Sequence, residues 1–181
     1  MSVYFKKLNL PISFLKDTFY ISTVKRTSFI DVDKILNPEL IRLTESSGMV
    51  KIVNCIVLRY SASATPSSIH IDDNDVYDQT NLNFVIGGSD SKVFWYKPLN
   101  GYSGYEIKTS FATRKGYDVD KLQLVESVSI DGACLFQGAV PHNVINEISD
   151  RWCVSVKLKK TNNEWLDWNT ALDVFEPYII Q

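Results

Sequence analysis

The chain has little cysteine, little histidine, almost no net charge and no long apolar run, and each shortage excludes something. Cys55, Cys134 and Cys153 are odd in number and far apart within apolar runs, so neither a disulfide framework nor a zinc knuckle can be read from them. Buried free thiols in a reducing compartment are the expectation. Nineteen basic against twenty-one acidic side chains leave a formal net charge of -2 over 181 residues. That balance offers no footprint for duplex DNA and no polybasic membrane patch. No stretch approaches the roughly 18 apolar residues of a membrane span. The opening "MSVYFKKLNLPISFL" interrupts its short apolar stretch with Lys6, Lys7 and Pro11 instead of building a signal-type core. A cytoplasmic protein with no membrane partner is expected. Repeats, low-complexity segments and long linkers are also missing, so residues 1–181 read as a single domain.

What is present is mostly β pattern. One early helix is signalled by "NPELIRLTESSG": Asn37 can cap, Pro38 suits the first turn, Glu39 favours the positive end of the dipole, and Gly48 can stop it. Short runs rich in Val, Ile and aromatics then follow at 50–60, 67–72, 82–87, 92–97, 122–130, 133–138 and 151–159, punctuated by "GGSD" and "DG" turns. An unbroken series of short strands predicts an all-β core, either a sandwich, a jelly roll or a barrel, with the helix packed outside. The Gly- and Tyr-rich stretch 98–120 reads as a long loop and a lid candidate. The tail suggests a second flanking helix from about Asn163, with Trp165 and Trp168 as core anchors. In "VFWYKP", Trp95 and Tyr96 are expected to divide between core and cavity wall.

The chemistry starts at "SSIHIDDNDVYD". On a strand, side chains two apart share a face, so His70 and Asp72 point together while Ile69 and Ile71 point away. Asp73 to Asp78 read as a polar turn at the strand exit. The acidic run does not fit a calcium loop, since it lacks that loop's glycine and terminal glutamate. The bland alternative is a strand-end histidine beside a solvated turn. A metal site needs a third ligand, and the other histidine is His142, in "GAVPHNVIN". Two histidines and a carboxylate on one side of a metal form the facial triad of non-haem iron(II) sites. Arg151 begins a strand on which Cys153 and Ser155 share its face. A lone buried arginine loses several kcal/mol of hydration, so it calls for a partner: a dicarboxylate co-substrate bound through a bidentate contact, or Asp150 or Glu147 in a plain salt bridge. Ser155 can bond the same carboxylate. Asn83 is either a co-substrate contact or a satisfied buried amide.

His70, Asp72, His142 and Arg151 stand in the order H-x-D, distal H, R, and this pattern resembles the iron(II)/2-oxoglutarate-dependent oxygenase superfamily over about residues 50–159. The His142 to Arg151 interval and "LRYSASATPSSIHID" are similar to the prolyl-hydroxylase-like branch, in which a tyrosine at the position of Tyr60 binds 2-oxoglutarate. The resemblance implies a double-stranded β-helix, a cupin-like jelly roll with flanking helices. It implies Fe(II) on His70, Asp72 and His142, 2-oxoglutarate as small-molecule co-substrate on Arg151 with Tyr60 or Ser155, and O2 as oxidant. The hydroxylated substrate suggested by the branch is a peptidyl residue such as proline, in a peptide or protein. A free amino acid or metabolite is the alternative, and nucleic acid fits poorly with the mild acidity and the short His142 to Arg151 interval. The rival readings are a non-catalytic jelly-roll binding or structural module, and a cupin-type metalloenzyme that does not use 2-oxoglutarate.

Overall fold

Period-2 patterning from residue 50 onward, joined by two short earlier strands, is realised as two antiparallel six-stranded sheets. The structure, a computed structural model, describes residues 2–25, 27–62, 67–72, 78–88, 90–109 and 113–180. The strands are β1 (Phe5–Lys7), β2 (Ser28–Ile30), β3 (Val50–Tyr60), β4 (His70–Ile71), β5 (Thr80–Gly87), β6 (Lys92–Pro98), β7 (Tyr105–Lys108), β8 (Thr113–Gly116), β9 (Leu122–Ser129), β10 (Gly132–Gln137), β11 (His142–Ile145) and β12 (Arg151–Lys160). The first sheet runs β1-β10-β5-β12-β3-β2 and the second β7-β8-β4-β11-β6-β9. The chain crosses from sheet to sheet at nearly every step between β3 and β6 and again between β9 and β12.

Among the described residues three α-helices, α1 (Val32–Ile35), α2 (Pro38–Glu45) and α3 (Trp168–Phe175), accompany the sheets. In α2 the Asn37 side chain accepts the Glu39 amide and Pro38 opens the first turn, as its sequence signals predict. The second helix begins later than expected. Asn163 has a φ of 73° and cannot start a right-handed helix, so α3 starts after Asp167, whose carboxylate accepts the Thr170 amide. No described helix is long and apolar enough to cross a membrane.

The first sheet has apolar side chains on both faces. Its outer face carries Val57, Leu82, Leu135, Val154, Val156 and Leu158, which pack with Leu40 of α2 and Ala171 and Phe175 of α3. Its inner face meets the second sheet through Val85, Cys134, Phe136 and Cys153 against Val93, Trp95 and Val144. The three thiols are free and buried. Trp95 is therefore inter-sheet core, while its neighbour Tyr96 packs on the outer side of the second sheet with Ile69, Ile71 and Tyr117. Neither lines the central cavity. Of the tail tryptophans, Trp168 packs on the helix-side core, whereas Trp165 sits beneath Lys159, whose ammonium is 4.7 Å from its ring.

The stretch 98–120 is not one long loop. Residues 105–108 and 113–116 pair as a hairpin, and β8 also pairs with β4 through His70↔Gly116 and Ile71↔Lys115. Its glycines permit close packing where the sequence suggested looseness: a Cβ on Gly104 would lie 2.4 Å from the Gly116 carbonyl oxygen. Phe111, Ser89 of the "GGSD" turn and residues 73–77 of the expected polar turn lie outside the described residues.

Candidate metal centre

β4 is short, but its pairing decides the site. His142 on β11 stands directly opposite His70, and antiparallel partners share a face, so the two imidazoles lie 4.8 Å apart, centroid to centroid. Asp72 leaves β4 on the same side. Its amide donates to the Gly138 carbonyl, and a Cβ on Gly138 would fall 2.7 Å from Asp72 Oδ2, so the bare backbone of Gly138 lets the carboxylate settle there.

The hydrogen bonds turn one donor atom of each residue toward a common point. Nδ1 of His70 is 2.8 Å from the Ser68 carbonyl and Nδ1 of His142 is 2.8 Å from that of Val140. A carbonyl only accepts, so each Nδ1 carries the proton and each Nε2 keeps its lone pair. Asn81 Nδ2 and Lys157 Nζ donate to Asp72 Oδ2 at 2.7 and 3.0 Å. Asp72 Oδ1 is left 3.8 Å from His70 Nε2 and 3.6 Å from His142 Nε2. The donor atoms lie within 4.8 Å of one another. Bonds of about 2.1 Å would place neighbouring donors ~3 Å apart, so shifts of about 1 Å would close the set on an ion.

Protonation favours the same use. Burial lowers the His142 pKa to about 4, with His70 adding to the effect, and burial also lowers that of His70. Burial alone would raise Asp72, but Lys157, His142 and His70 together hold it well below the usual carboxylate range. Near neutral pH the site therefore offers two neutral imidazoles and one carboxylate, the protonation state a divalent ion requires.

The other residues singled out in the sequence line one cavity with the triad. Tyr60, Asn83, Arg151 and Ser155 are all on its wall, joined there by Leu58 and Phe136. Arg151 faces Tyr60 across the β12–β3 ladder, its guanidinium 5.4 Å from the ring centroid, and Ser155 faces Asn83 across the β12–β5 ladder. Arg151 is 3% exposed and forms no ion pair among the described residues; Asp150 pairs with Arg59 at 2.7 Å instead. Arg151 Nε and Asn83 Oδ1 are buried without partners. Tyr60 has its pKa raised by burial and stays a neutral hydroxyl.

Three site residues escaped the sequence reading. Lys157 and Asn81 could have been found, since they continue the alternations that carry Ser155 and Asn83. Arg114 carried no such signal. It comes from β8, and its Nη1 lies 3.0 Å from His70 Nε2, the nitrogen a metal would need. The remaining free space, about 30 Å3, holds about two waters. No protein-family model matches the chain, and no curated protein matches it.

Proposed function

We propose that this protein is an iron(II)- and 2-oxoglutarate-dependent dioxygenase built on a jelly roll. The strand path supports the fold: β3, β4, β5 and β6, then β9, β10, β11 and β12, distribute four strands to each sheet, β10-β5-β12-β3 against β4-β11-β6-β9. One observation carries the activity. Three donor atoms, of which only His70 Nε2 is engaged, by Arg114, converge at one end of a cavity whose wall also holds a buried arginine with no carboxylate partner among the described residues.

His70, Asp72 and His142 would hold Fe(II), and Lys157 with Asn81 would keep Asp72 Oδ1 turned toward it by occupying Oδ2. Arg151 would bind the distal carboxylate of 2-oxoglutarate through its guanidinium fork, and the Ser155 and Tyr60 hydroxyls would donate alongside it. Bound together, Fe(II), 2-oxoglutarate and O2 supply an oxidation in which one oxygen atom enters succinate as CO2 leaves and the other enters a C–H bond of the second substrate. Leu58, Phe136 and Val144 form an apolar wall that limits water. The hairpin β7–β8 borders the cavity through Arg114 and would act as its lid, moving outward to admit 2-oxoglutarate, since the closed cavity has room only for water.

Anaerobic addition of Fe(II) and 2-oxoglutarate should produce a weak visible charge-transfer band, and Arg151→Ala should abolish 2-oxoglutarate binding while sparing Mn(II) binding. Metal uptake with no response to 2-oxoglutarate would instead indicate a cupin-type metalloenzyme. Uptake of neither would indicate a non-catalytic module.

A further inference from the structure

The oxygenase reading leaves Arg114 without a role, although this residue intrudes furthest on the site. Its Nη1 donates to His70 Nε2 at 3.0 Å, and its Nε is buried without a partner. A single lone pair on Nε2 cannot both accept this hydrogen bond and bind a metal, so a metal-loaded site must release Arg114 from His70. The arginine then needs another acceptor. Among the described residues no carboxylate pairs with it, because Asp72 Oδ2 is taken by Lys157 and Asn81 while Oδ1 faces the histidines.

The charges in the cavity say what that acceptor should be. Arg114, Arg151 and Lys157 oppose the single carboxylate of Asp72, an excess of two positive charges in a poorly solvated space. Fe(II) brings two positive charges and 2-oxoglutarate two negative ones, so their joint binding leaves the excess where it was. An anion on the second substrate reduces it. Resting on the oxygenase reading, we propose that Arg114 anchors a carboxylate of the second substrate, which makes that substrate a free acid instead of a neutral residue within a peptide. The register fits this role: β8 pairs with β4 at His70 and Ile71, which brings Arg114 alongside Asp72 at the metal end of the cavity, whereas Arg151 enters from the first sheet. The two arginines thus serve two different carboxylates.

The test compares the free L-amino acids, their C-terminal amides, and a terminally blocked peptide series with and without an acidic side chain. The readouts are the thermal shift of the Mn(II)- and 2-oxoglutarate-loaded protein and the succinate formed with Fe(II). At least one free acid should shift the protein and raise succinate formation tenfold or more over its amide. Arg114→Gln should erase that preference, Arg114→Lys should restore part of it, and both variants should bind Mn(II) and 2-oxoglutarate at least as well as the wild type. A response confined to blocked peptides with an acidic side chain would keep the anchor and overturn the free-acid assignment. The proposal also fails if no acid acts, if amides act as well as acids, if Arg114→Gln keeps the preference, or if it loses 2-oxoglutarate binding. Should the wild type bind neither Mn(II) nor 2-oxoglutarate, the oxygenase reading falls, and the acid-against-amide shift of the metal-free protein, with and without Arg114→Gln, decides the anion site separately.

Discussion

The two faces of β12 are built from alternate residues of one ten-residue strand, yet they serve opposite ends. Val154, Val156 and Leu158 point to the helix side and are fully buried among other apolar groups. Arg151 and Ser155, both buried, and Lys157, mostly buried, point the other way, into a cavity holding unpartnered polar atoms and a charged pair. Burial alone does not separate the two faces; what separates them is whether the buried groups are satisfied. The helix face gains about 1.5–3 kcal/mol for each buried Leu or Val, and its cost is only side-chain ordering. The cavity face buries charge and leaves donors open, a loss of stability that a binding site accepts for the sake of its ligand.

Substitutions should separate the faces, beginning with the largest effect. Leu158→Ala should cost about 2–5 kcal/mol of stability in urea unfolding and leave the Mn(II) affinity of the folded protein unchanged; a lost metal affinity would mean the faces are coupled. On the cavity side, the metal-free protein should lose stability in acid. An unfolded histidine takes up its proton near pH 6.5, whereas folded His142 does so only at about 4. Between those values the unfolded state binds more protons, so stability falls as pH drops from about 6.5 to 4 and is flat above, on the order of 3 kcal/mol in all. Denaturation at stepped pH checks this, and His142→Gln should flatten much of the slope.

Lys157→Met should cost about 1–3 kcal/mol, since it leaves a buried carboxylate without its cation. The Asp72 carboxyl should then rise toward its ordinary range, so that acid displaces Mn(II) at a higher pH than in the wild type. Binding titrations across pH would show that shift; an unmoved profile would mean Asn81 alone holds Asp72. Smallest of all, Ser155→Ala should change stability by less than about 1 kcal/mol and weaken 2-oxoglutarate binding about fivefold, as read by calorimetry.

Much of this division was legible in the chain. The α2 cap, seven of the strands and the shared face of His70 with Asp72 and of Arg151 with Ser155 all follow from spacing, because strand parity is a local property. The short strands β1, β2, β7, β8 and β11 were harder. Three or four residues carry little pattern of their own, and they are strands because a neighbour offers them a ladder. The hairpin in 98–120 was hidden by its glycines, which serve tight packing there.

By itself, then, the sequence determined the β character of the core, the face on which each candidate ligand stands, and the improbability of a buried arginine without a partner. Only the tertiary structure decided that His142 faces His70, that Lys157 and Asn81 hold one oxygen of Asp72 and leave the other free, and that Arg114 reaches His70 from a hairpin with no marking motif. The physical reason is that alternation along a strand is fixed by backbone geometry within a few residues. The register between strands depends on which distant segments bury their apolar faces together, and that is a property of the whole chain.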